Sequence, residues 1–180
     1  MGALKEEAVY TVDDIYNLPA GERAELIDGQ IYYMAPPTFR HQKILSFLNI
    51  EIGNYIKKKK GSCEVIPSPF AVFLNENNKT YVEPDISVIC DKSKLTEKGC
   101  FGSPDWVIEI VSPSSVWMDY TTKLFKYRNA EVREYWIVDP LKNQIITYYF
   151  DEQIMKQYTF SDKVQVSIYE DLEIDFSEIE

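Results

Sequence analysis

Two apolar segments stand near the middle of the chain, Val82-Glu83-Pro84-Asp85-Ile86-Ser87-Val88-Ile89 and Trp106-Val107-Ile108-Glu109-Ile110-Val111. Their β-branched and aromatic residues are typical of buried strands. We expect each strand to bring one carboxylate, Asp85 from the first and Glu109 from the second, to the same end of a sheet. Two carboxylates that project together can hold a hard divalent cation. The pattern therefore predicts a two-acid metal site built on a sheet.

The composition predicts one domain with one core. The chain has 180 residues, of which 45% are hydrophobic and 14% aromatic, which suffices for a single well-buried core. No apolar run approaches the length of a membrane span and no basic start precedes an apolar stretch, so we expect a cytoplasmic protein without a membrane span. The expected domain covers residues 1–180, with a core at about 24–140, a β extension at about 144–168 and an acidic tail at 170–180.

The cysteines predict neither a disulfide framework nor a zinc site. Cys63, Cys90 and Cys100 are odd in number and lack a C-x-x-C spacing with histidine partners. We therefore expect buried free thiols.

The charge restricts how the protein can meet nucleic acid. The formal net charge of -10 argues against binding by the whole surface, because neutralisation of phosphates supplies most of that affinity. The one dense basic run comprises Lys57, Lys58, Lys59 and Lys60. This run is either the solvated end of a helix or a contact to a nucleic-acid backbone.

Local signals predict the elements that precede the two acidic strands. Thr11 and Asp14 have the spacing of a capping box for a short helix through about Leu18. Asp28-Gly29 predicts a type I′ turn in a hairpin. Apolar residues at helical spacing predict a long helix over about residues 38–60.

The segments after the first acidic strand are predicted in the same way. Residues 91–104 are polar and contain glycines, which favours a loop with a short helical turn at about 93–98. A helix is expected from about Val116 to Asn129, and a strand at 134–138 follows it. Alternation then predicts an antiparallel meander with strands at 144–150, 154–160 and 164–168. We expect the acidic tail from Glu170 to be partly disordered.

Several short motifs occur in order between residues 24 and 140: Ala24-Glu25-Leu26-Ile27-Asp28-Gly29, His41, Val82-Glu83-Pro84-Asp85, Val107-Ile108-Glu109-Ile110-Val111-Ser112-Pro113-Ser114-Ser115, Asp119, Lys123, Tyr127 and Glu134-Tyr135-Trp136-Ile137-Val138-Asp139-Pro140. This order resembles the core of the PD-(D/E)XK nuclease superfamily, and within it the Uma-two family of restriction-endonuclease-like proteins. The resemblance implies an α/β (α+β) fold: a restriction-endonuclease-like core whose central mixed sheet is flanked by helices, with an N-terminal hairpin and a C-terminal antiparallel β extension.

The resemblance also implies an activity, the Mg²⁺-dependent hydrolysis of DNA phosphodiester bonds, in which Mn²⁺ can substitute. Asp85 and Glu109 would hold the metal, with the Ile110 carbonyl as a third ligand. The superfamily places a lysine two residues after the glutamate, where this chain has Val111. In the family the lysine comes from the following helix, where Lys123 is the matching position and would orient the attacking water.

The resemblance assigns three further residues to the site. Glu25 would bind metal or hold Lys123. Tyr127 lies one turn after Lys123 and faces the same way, so it could reach a water or a phosphate oxygen. His41 is the single histidine; it either points into the cleft or is a helix-start histidine without a special role.

Other interpretations stay open for the same residues. Taken singly, Asp85 could end a strand, Glu109 could be an edge carboxylate, and Asp119 with Lys123 could be an i,i+4 surface pair. The chain could also be a catalytically inactive nuclease-fold protein that binds nucleic acid or a protein partner. A homodimer that uses the β extension from Gln144 as its interface is compatible with either function.

Overall fold

A six-stranded mixed sheet lies at the centre of the fold, which a computed structural model describes for residues 8–75 and 77–179. The predicted domain of residues 1–180 also includes residues 1–7, 76 and 180, which lie outside the described residues. The elements up to the second acidic strand are α1 Val12–Tyr16, β1 Ala24–Ile27, β2 Gln30–Tyr33, α2 Phe39–Lys59, β3 Glu64–Pro67, β4 Val72–Phe73, β5 Ile86–Ile89, β6 Leu95–Thr96, β7 Gly99–Phe101 and β8 Trp106–Ile110.

A π-helical segment, Met118–Lys123, runs directly into α3 and begins the second half of the chain. The elements that follow it are α3 Leu124–Asn129, β9 Glu134–Asp139, β10 Gln144–Tyr149, β11 Ile154–Tyr158, β12 Lys163–Gln165 and β13 Glu173–Asp175. The central sheet has the strand order β11-β10-β9-β8-β5-β3. Only β8 and β9 pair in parallel among these neighbours. The predicted α+β architecture with a central mixed sheet is confirmed.

Helical layers cover both faces of this sheet. On one face Ile44, Leu48 and Ile52 of α2 pack in a cluster with Ile108 and Ile110 of β8. On the other face Val107 and Val111 pack in a second cluster with Tyr127 of α3. Because side chains alternate along a strand, Glu109 lies on the α3 side of the sheet. The fold thereby directs Glu109 toward the helix that carries Lys123.

The N-terminal hairpin forms as its turn sequence predicts. Asp28 and Gly29 both have positive φ, 52° and 80°, as a type I′ turn requires. A Cβ at Gly29 would stand 2.6 Å from Val9 Cγ1, so the close approach of the chain also needs glycine. Leu26 exchanges backbone hydrogen bonds with Tyr81, which fixes the hairpin beside the segment that leads to Asp85.

The first two predicted helices are confirmed, including the capping box of Thr11 and Asp14, whereas the helix predicted over 116–129 contains the π-helical segment before α3. Thr38 caps α2 by accepting a hydrogen bond from the His41 N–H. The lysine run forms the last turn of α2 together with its left-handed C-cap Lys60. A helix of this length places the lysines about 30 Å from the His41 end. The lysines therefore lie at the C-terminal end of α2, which is the opposite end from His41.

Three predicted segments differ in the structure. The first acidic strand begins only at Ile86, so Glu83 and Asp85 precede β5. The predicted loop at 91–104 contains β6 and β7, which join β4 in a small sheet. Its helical turn is a 3-10 turn at Lys92–Lys94. These short strands have too few residues to show periodicity, and they form because β4 supplies backbone partners.

The prediction of a partly disordered acidic tail is wrong for the described residues up to 179. Leu172, Ile174 and Phe176 are buried in the cluster that α2 covers. Glu180, the last residue of the predicted tail, lies outside the described residues. The strand β12 pairs with β13 and not with β11, so the predicted three-stranded meander ends after two strands. The acidic residues alternate with apolar ones here, and the apolar ones close the core.

The prediction of free thiols is wrong for two of the three cysteines. Cys63 and Cys90 form a disulfide, whereas Cys100 is free and buried. Glu64 and Ile89 are partners in the antiparallel pair of β3 and β5, which places the two cysteines opposite one another just beyond it. This proximity depends on strand register, which cysteine spacing does not show. Within the described ranges, no helix is both long and apolar enough to span a bilayer.

Candidate active site

A cleft of about 790 Å³ brings most of the predicted site residues together. Its walls come from the β1–β2 hairpin, the first turn of α2, the segment before β5, the end of β8 and the π-helical segment. The predicted residues that line it are Glu25, His41, Asp85, Glu109, Ile110 and Lys123. Tyr127 is fully buried behind this wall.

Asp85 and Glu109 are neighbours at the bottom of the cleft. Asp85 follows Pro84 in an irregular segment, and its Oδ2 accepts a hydrogen bond of 2.7 Å from the Ile110 N–H. The Asp85 N–H in turn lies 3.4 Å from Glu109 Oε2. These reciprocal contacts hold the two carboxylates side by side, although only Glu109 belongs to a strand.

Lys123 reaches the same point from the opposite side. Its Nζ is 2.9 Å from Glu25 Oε2, 3.0 Å from Glu109 Oε1 and 3.9 Å from Asp119 Oδ1. The residue is only 4% exposed. Lys123 ends the π-helical segment, and such irregular turns often occur at functional sites because they re-aim side chains.

The electrostatics of this cluster favour a protonated lysine. Burial lowers the pKa of Lys123, but the charges of Glu109, Glu25 and Asp119 outweigh burial and raise this pKa well above its usual range. Burial raises the pKa of Glu109 well above its ordinary value; Lys123 opposes this shift and the other carboxylates add to it. Burial likewise raises the pKa of Asp119 to about 6. Several carboxyl groups therefore share one ammonium, and the raised pKa values of Glu109 and Asp119 reflect the cost of ionising all of them.

Tyr127 and His41 each contact one of the paired acids. The Tyr127 hydroxyl donates a 2.6 Å hydrogen bond to Glu109 Oε1. His41 Nε2 is 3.2 Å from Asp85 Oδ2. Burial lowers the pKa of His41, yet the hydrogen bond and charge of Asp85 raise it above its ordinary value overall. Both side chains thus restrict the orientation of a carboxylate.

The structure adds residues that the sequence interpretation left outside the site. Asp119, whose simplest interpretation was a surface pair, is buried and lines the cleft. Glu83 is also buried and accepts hydrogen bonds from Arg23 and Tyr81. The Glu83 N–H donates a 2.9 Å hydrogen bond to Glu25 Oε1, which fixes the acid that holds Lys123. Two signals pointed to Asp119: its place in the family order of motifs and its i,i+4 spacing from Lys123.

The donor set fits a hard divalent cation. Asp119 Oδ1 is buried and, among the described residues, has no hydrogen-bond partner. The excess of carboxylates over cations leaves negative charge that a cation would neutralise. No three His, Cys, Asp or Glu side chains within residues 8–75 and 77–179 form a ready-made metal cage. An open site of this kind suits Mg²⁺, which one or two carboxylates bind while it keeps several waters.

Comparisons with known proteins agree with this fold. The chain is 28% identical over 149 residues to the uncharacterized protein slr1290 of Synechocystis sp., which covers 81% of this chain and 77% of that protein. The structure of the present chain is similar to the crystal structure of a "putative nuclease belonging to DUF820" from Anabaena variabilis, with a TM-score of 0.75 and 22% sequence identity. That similarity covers 94% of this chain and 96% of the other and shows a shared fold.

The family comparison covers the whole of the site described above. Residues 12–178 match the model of the Uma2 family, which is described as "Putative restriction endonuclease". The match contains every cleft residue named here, from Arg23 to Lys123. This chain belongs to the Uma2 family.

Proposed function

We propose that this protein is a metal-dependent endonuclease that hydrolyses phosphodiester bonds of DNA in the cytoplasm. The observation that carries the proposal is the contact of 3.0 Å between Lys123 Nζ and Glu109 Oε1. The lysine comes from a different element than the acid, yet it stands at the pair formed by Asp85 and Glu109 in an open cleft. Two carboxylates can hold a divalent cation, and an ammonium beside them can stabilise the charge that develops on the phosphate during hydrolysis.

Asp85 and Glu109 would hold Mg²⁺, or Mn²⁺ in its place, and the Ile110 carbonyl would be a third ligand. The cation, when bound, supplies Lewis acidity that lowers the pKa of a water and neutralises charge on the phosphate. Glu109 is suited to this task because Tyr127 and Lys123 fix Oε1, whereas Oε2 has only the long contact to the Asp85 N–H.

Lys123 would keep its proton and act through its charge. The surrounding carboxylates stabilise the ammonium and raise the pKa of Lys123, which favours a charged lysine over one that acts as a base. The ammonium can orient the attacking water by a hydrogen bond and stabilise the negative charge that develops on the phosphate. Glu25 holds the ammonium in place, and the Glu83 backbone holds Glu25.

The two remaining predicted residues would position the ligands. Tyr127 is buried behind Glu109, so its hydroxyl acts on that carboxylate in this structure. His41 lines the cleft beside Asp85 and can also donate to a phosphate oxygen when it is protonated.

Plasmid cleavage tests the proposal. Purified protein with Mg²⁺ should nick or linearise supercoiled plasmid, and EDTA should stop the reaction. Asp85→Asn should abolish cleavage while the protein stays folded. The matched control is Asp91→Asn, an exposed aspartate whose loss should leave the rate unchanged. Cleavage that survives Asp85→Asn would come from a contaminant, and the proposed site would be wrong.

A non-cleaving nuclease-fold protein predicts a different set of results. Such a protein would bind DNA, or a protein partner, with an affinity indifferent to Mg²⁺ and to Asp85→Asn. The crowding of carboxylates around Lys123 disfavours this alternative, because a site without chemistry gains nothing from unneutralised buried charge.

The proposal includes a homodimer, in which two sites could meet two strands. The strand β11 is the outer edge of the central sheet, and its Ile154 and Met155 are exposed. An exposed apolar edge strand is a template for pairing with another chain. Light scattering should give twice the monomer mass of 21.0 kDa. Gln157→Pro, which removes an edge donor, should shift the mass to that of the monomer.

A further inference from the structure

The β1–β2 hairpin presents one face to the core and the other to the cleft. Leu26 and Ile31 are cross-strand partners, and both pack in the cluster that anchors the hairpin. Glu25 and Tyr32 are the next pair in the register. Because successive side chains of a strand point to opposite faces, Tyr32 lies on the Glu25 side, beside the acid that holds Lys123.

Tyr32 is an exposed aromatic side chain at the cleft that holds the carboxylates. It lines the cleft and is 40% exposed. No aromatic ring in the described ranges pairs with it, whereas many other tyrosines of the chain pack edge-on, tilted or stacked against a neighbouring ring. An exposed ring with a free face can stack on a nucleobase, and such stacking is tolerant of sequence.

Arg23 supplies the charge that a phosphate needs at the same place. It lies two residues before Glu25 and lines the cleft. Its Nε and Nη2 donate to Glu83 Oε2 at 3.1 and 2.5 Å. Glu83 is itself held by the Tyr81 hydroxyl at 2.6 Å. This contact leaves the Nη1 group of a half-exposed guanidinium available for an anion.

The charge balance of the cleft makes Arg23 the main contact for a polyanion. Among the described residues that line the cleft, the basic ones are Arg23, Lys123 and the buried His41, which contacts Asp85. Carboxylates surround the buried Lys123 and neutralise its charge within the cluster. A strand that enters the cleft therefore meets Arg23 as its solvent-accessible cation.

We propose that Arg23 and Tyr32 form a subsite for one unpaired nucleotide, which makes single-stranded nucleic acid, or a duplex with unstacked bases, the preferred substrate class. Arg23 contacts the phosphate, and the Tyr32 ring stacks on the base. A base inside a duplex already stacks on its neighbours and cannot offer its face to the ring. The subsite rests on the proposed nuclease function, because it lies beside the Asp85 and Glu109 pair.

Fluorescence anisotropy with a labelled single-stranded oligonucleotide and with the matching duplex tests the subsite. Ca²⁺ replaces Mg²⁺, so that binding is measured apart from cleavage. Tyr32→Ala should weaken single-strand binding by about 5- to 100-fold, and Tyr32→Phe, which keeps the ring, should bind within about twofold of the wild type. Tyr32→Ala should leave duplex binding unchanged.

A matched tyrosine and a salt titration complete the experiment. Tyr10 is 38% exposed beside the turn of the same hairpin, away from the cleft lining, so Tyr10→Ala should bind like the wild type. Arg23→Gln should weaken binding and reduce the slope of log affinity against log salt by about 0.7, the value for one phosphate contact to a single strand.

The outcomes separate the subsite from the nuclease proposal. The subsite is overturned if Tyr32→Ala and Tyr10→Ala bind alike, or if Tyr32→Ala weakens duplex and single-strand binding equally. Both of these results can occur while Asp85→Asn still abolishes cleavage, in which case the nuclease function stands. Ring-dependent single-strand binding without any cleavage by the wild type would support the subsite and refute the nuclease.

Discussion

Glu109 and Glu134 are buried carboxylates on the neighbouring strands β8 and β9, but their surroundings differ in kind. Glu134 accepts hydrogen bonds from the Ser167 and Ile168 N–H groups at 2.9 and 3.0 Å and from Trp136 Nε1 at 2.7 Å. Two of these donors are backbone N–H groups of a partly buried bend, and the third is the indole of the buried Trp136. Burial raises the pKa of Glu134 to about 7, against the effect of these donors.

Glu109 lies among ionisable side chains, whereas Glu134 has uncharged donors. Its close donors are the side chains of Lys123 and Tyr127, with a longer contact from the Asp85 N–H, and its neighbours are other carboxylates at the base of an open cleft. A buried acid whose hydrogen bonds are met by backbone and indole groups stabilises the fold. A buried acid that shares one cation with other acids is poised to bind a cation. These surroundings agree with a structural role for Glu134 and with the metal-binding role proposed for Glu109.

The largest expected effect separates the two glutamates by activity. Glu109→Gln should lower Mg²⁺-dependent cleavage by about 100-fold or more, because it removes a metal ligand and its charge. Glu134→Gln should retain most of the cleavage rate per folded molecule. Plasmid cleavage measured against the folded fraction from circular dichroism tests both. Equal losses in the two variants would contradict the assignment.

Removal of the Lys123 ammonium should destabilise the fold, because the surrounding carboxylates would then repel one another without a counter-charge. Lys123→Met leaves Glu25, Glu109 and Asp119 without a counter-charge and should lower the free energy of unfolding by about 3–5 kcal/mol at neutral pH. Acids whose pKa is raised in the folded state lose stability as the pH rises through that pKa, which is about 6 for Asp119. The loss should therefore be larger at pH 8 than at pH 5.

Urea unfolding of Lys123→Met at both pH values gives this measurement. Lys126→Met is the control, since Lys126 lies one turn on and pairs with the exposed Asp28. Such a surface pair contributes at most about 1 kcal/mol. A pH-independent loss in Lys123→Met would show that packing, and not charge, explains the role of the lysine.

Glu134→Gln should lower the free energy of unfolding, because it removes an acceptor for the three donors around Glu134. The amide of glutamine offers one acceptor where Glu134 offers two, so a buried N–H group loses its partner at a cost of about 1–3 kcal/mol. The folded pKa of Glu134, about 7, lies above its unfolded value. Glu134 therefore stabilises the fold most at low pH, and the gap between wild type and variant should narrow as the pH rises through 7.

Urea unfolding between pH 5 and pH 8 measures that gap. Glu97→Gln, at an exposed position, should follow the wild type at every pH. A gap that widens with pH would show that the ionised form is the stabilising one, and the backbone donors would then dominate over burial.

Much of the fold and of the site follows from local sequence. The periodicity of α2, the Asp28-Gly29 turn and the apolar run of β8 each specify an element within a few residues. Order along the chain then suffices to bring Asp85, Glu109 and Lys123 together, because the topology of the family supplies the contacts. The site residues were predictable because each one lies on, or next to, such an element.

Features that depend on partners distant in sequence could not be predicted. The disulfide of Cys63 and Cys90 follows from the register of β3 with β5. Gly99 has a positive φ, and its backbone lies so close to Ala71 that a Cβ would be 2.3 Å from the Ala71 carbonyl oxygen. Asp119 is buried because the helix that carries it packs over the cleft. Spacing along the chain does not encode any of these distances.

The smallest expected effect concerns Tyr127, which contacts Glu109 without lining the cleft. Tyr127→Phe removes the hydroxyl that donates a hydrogen bond of 2.6 Å to Glu109 Oε1. Because Lys123 still donates to that oxygen, no buried acceptor loses all of its donors. The free energy of unfolding should fall by only about 1 kcal/mol. Cleavage should slow by about 10-fold, because the carboxylate loses one of the two groups that orient it. Tyr135→Phe is the control, since its hydroxyl donates to the Asp119 carbonyl and not to Glu109. Tyr127→Phe could instead cleave at the wild-type rate while Glu109→Gln does not cleave. In that case Lys123 alone orients Glu109, and the tyrosine hydroxyl is a structural donor like the donors of Glu134.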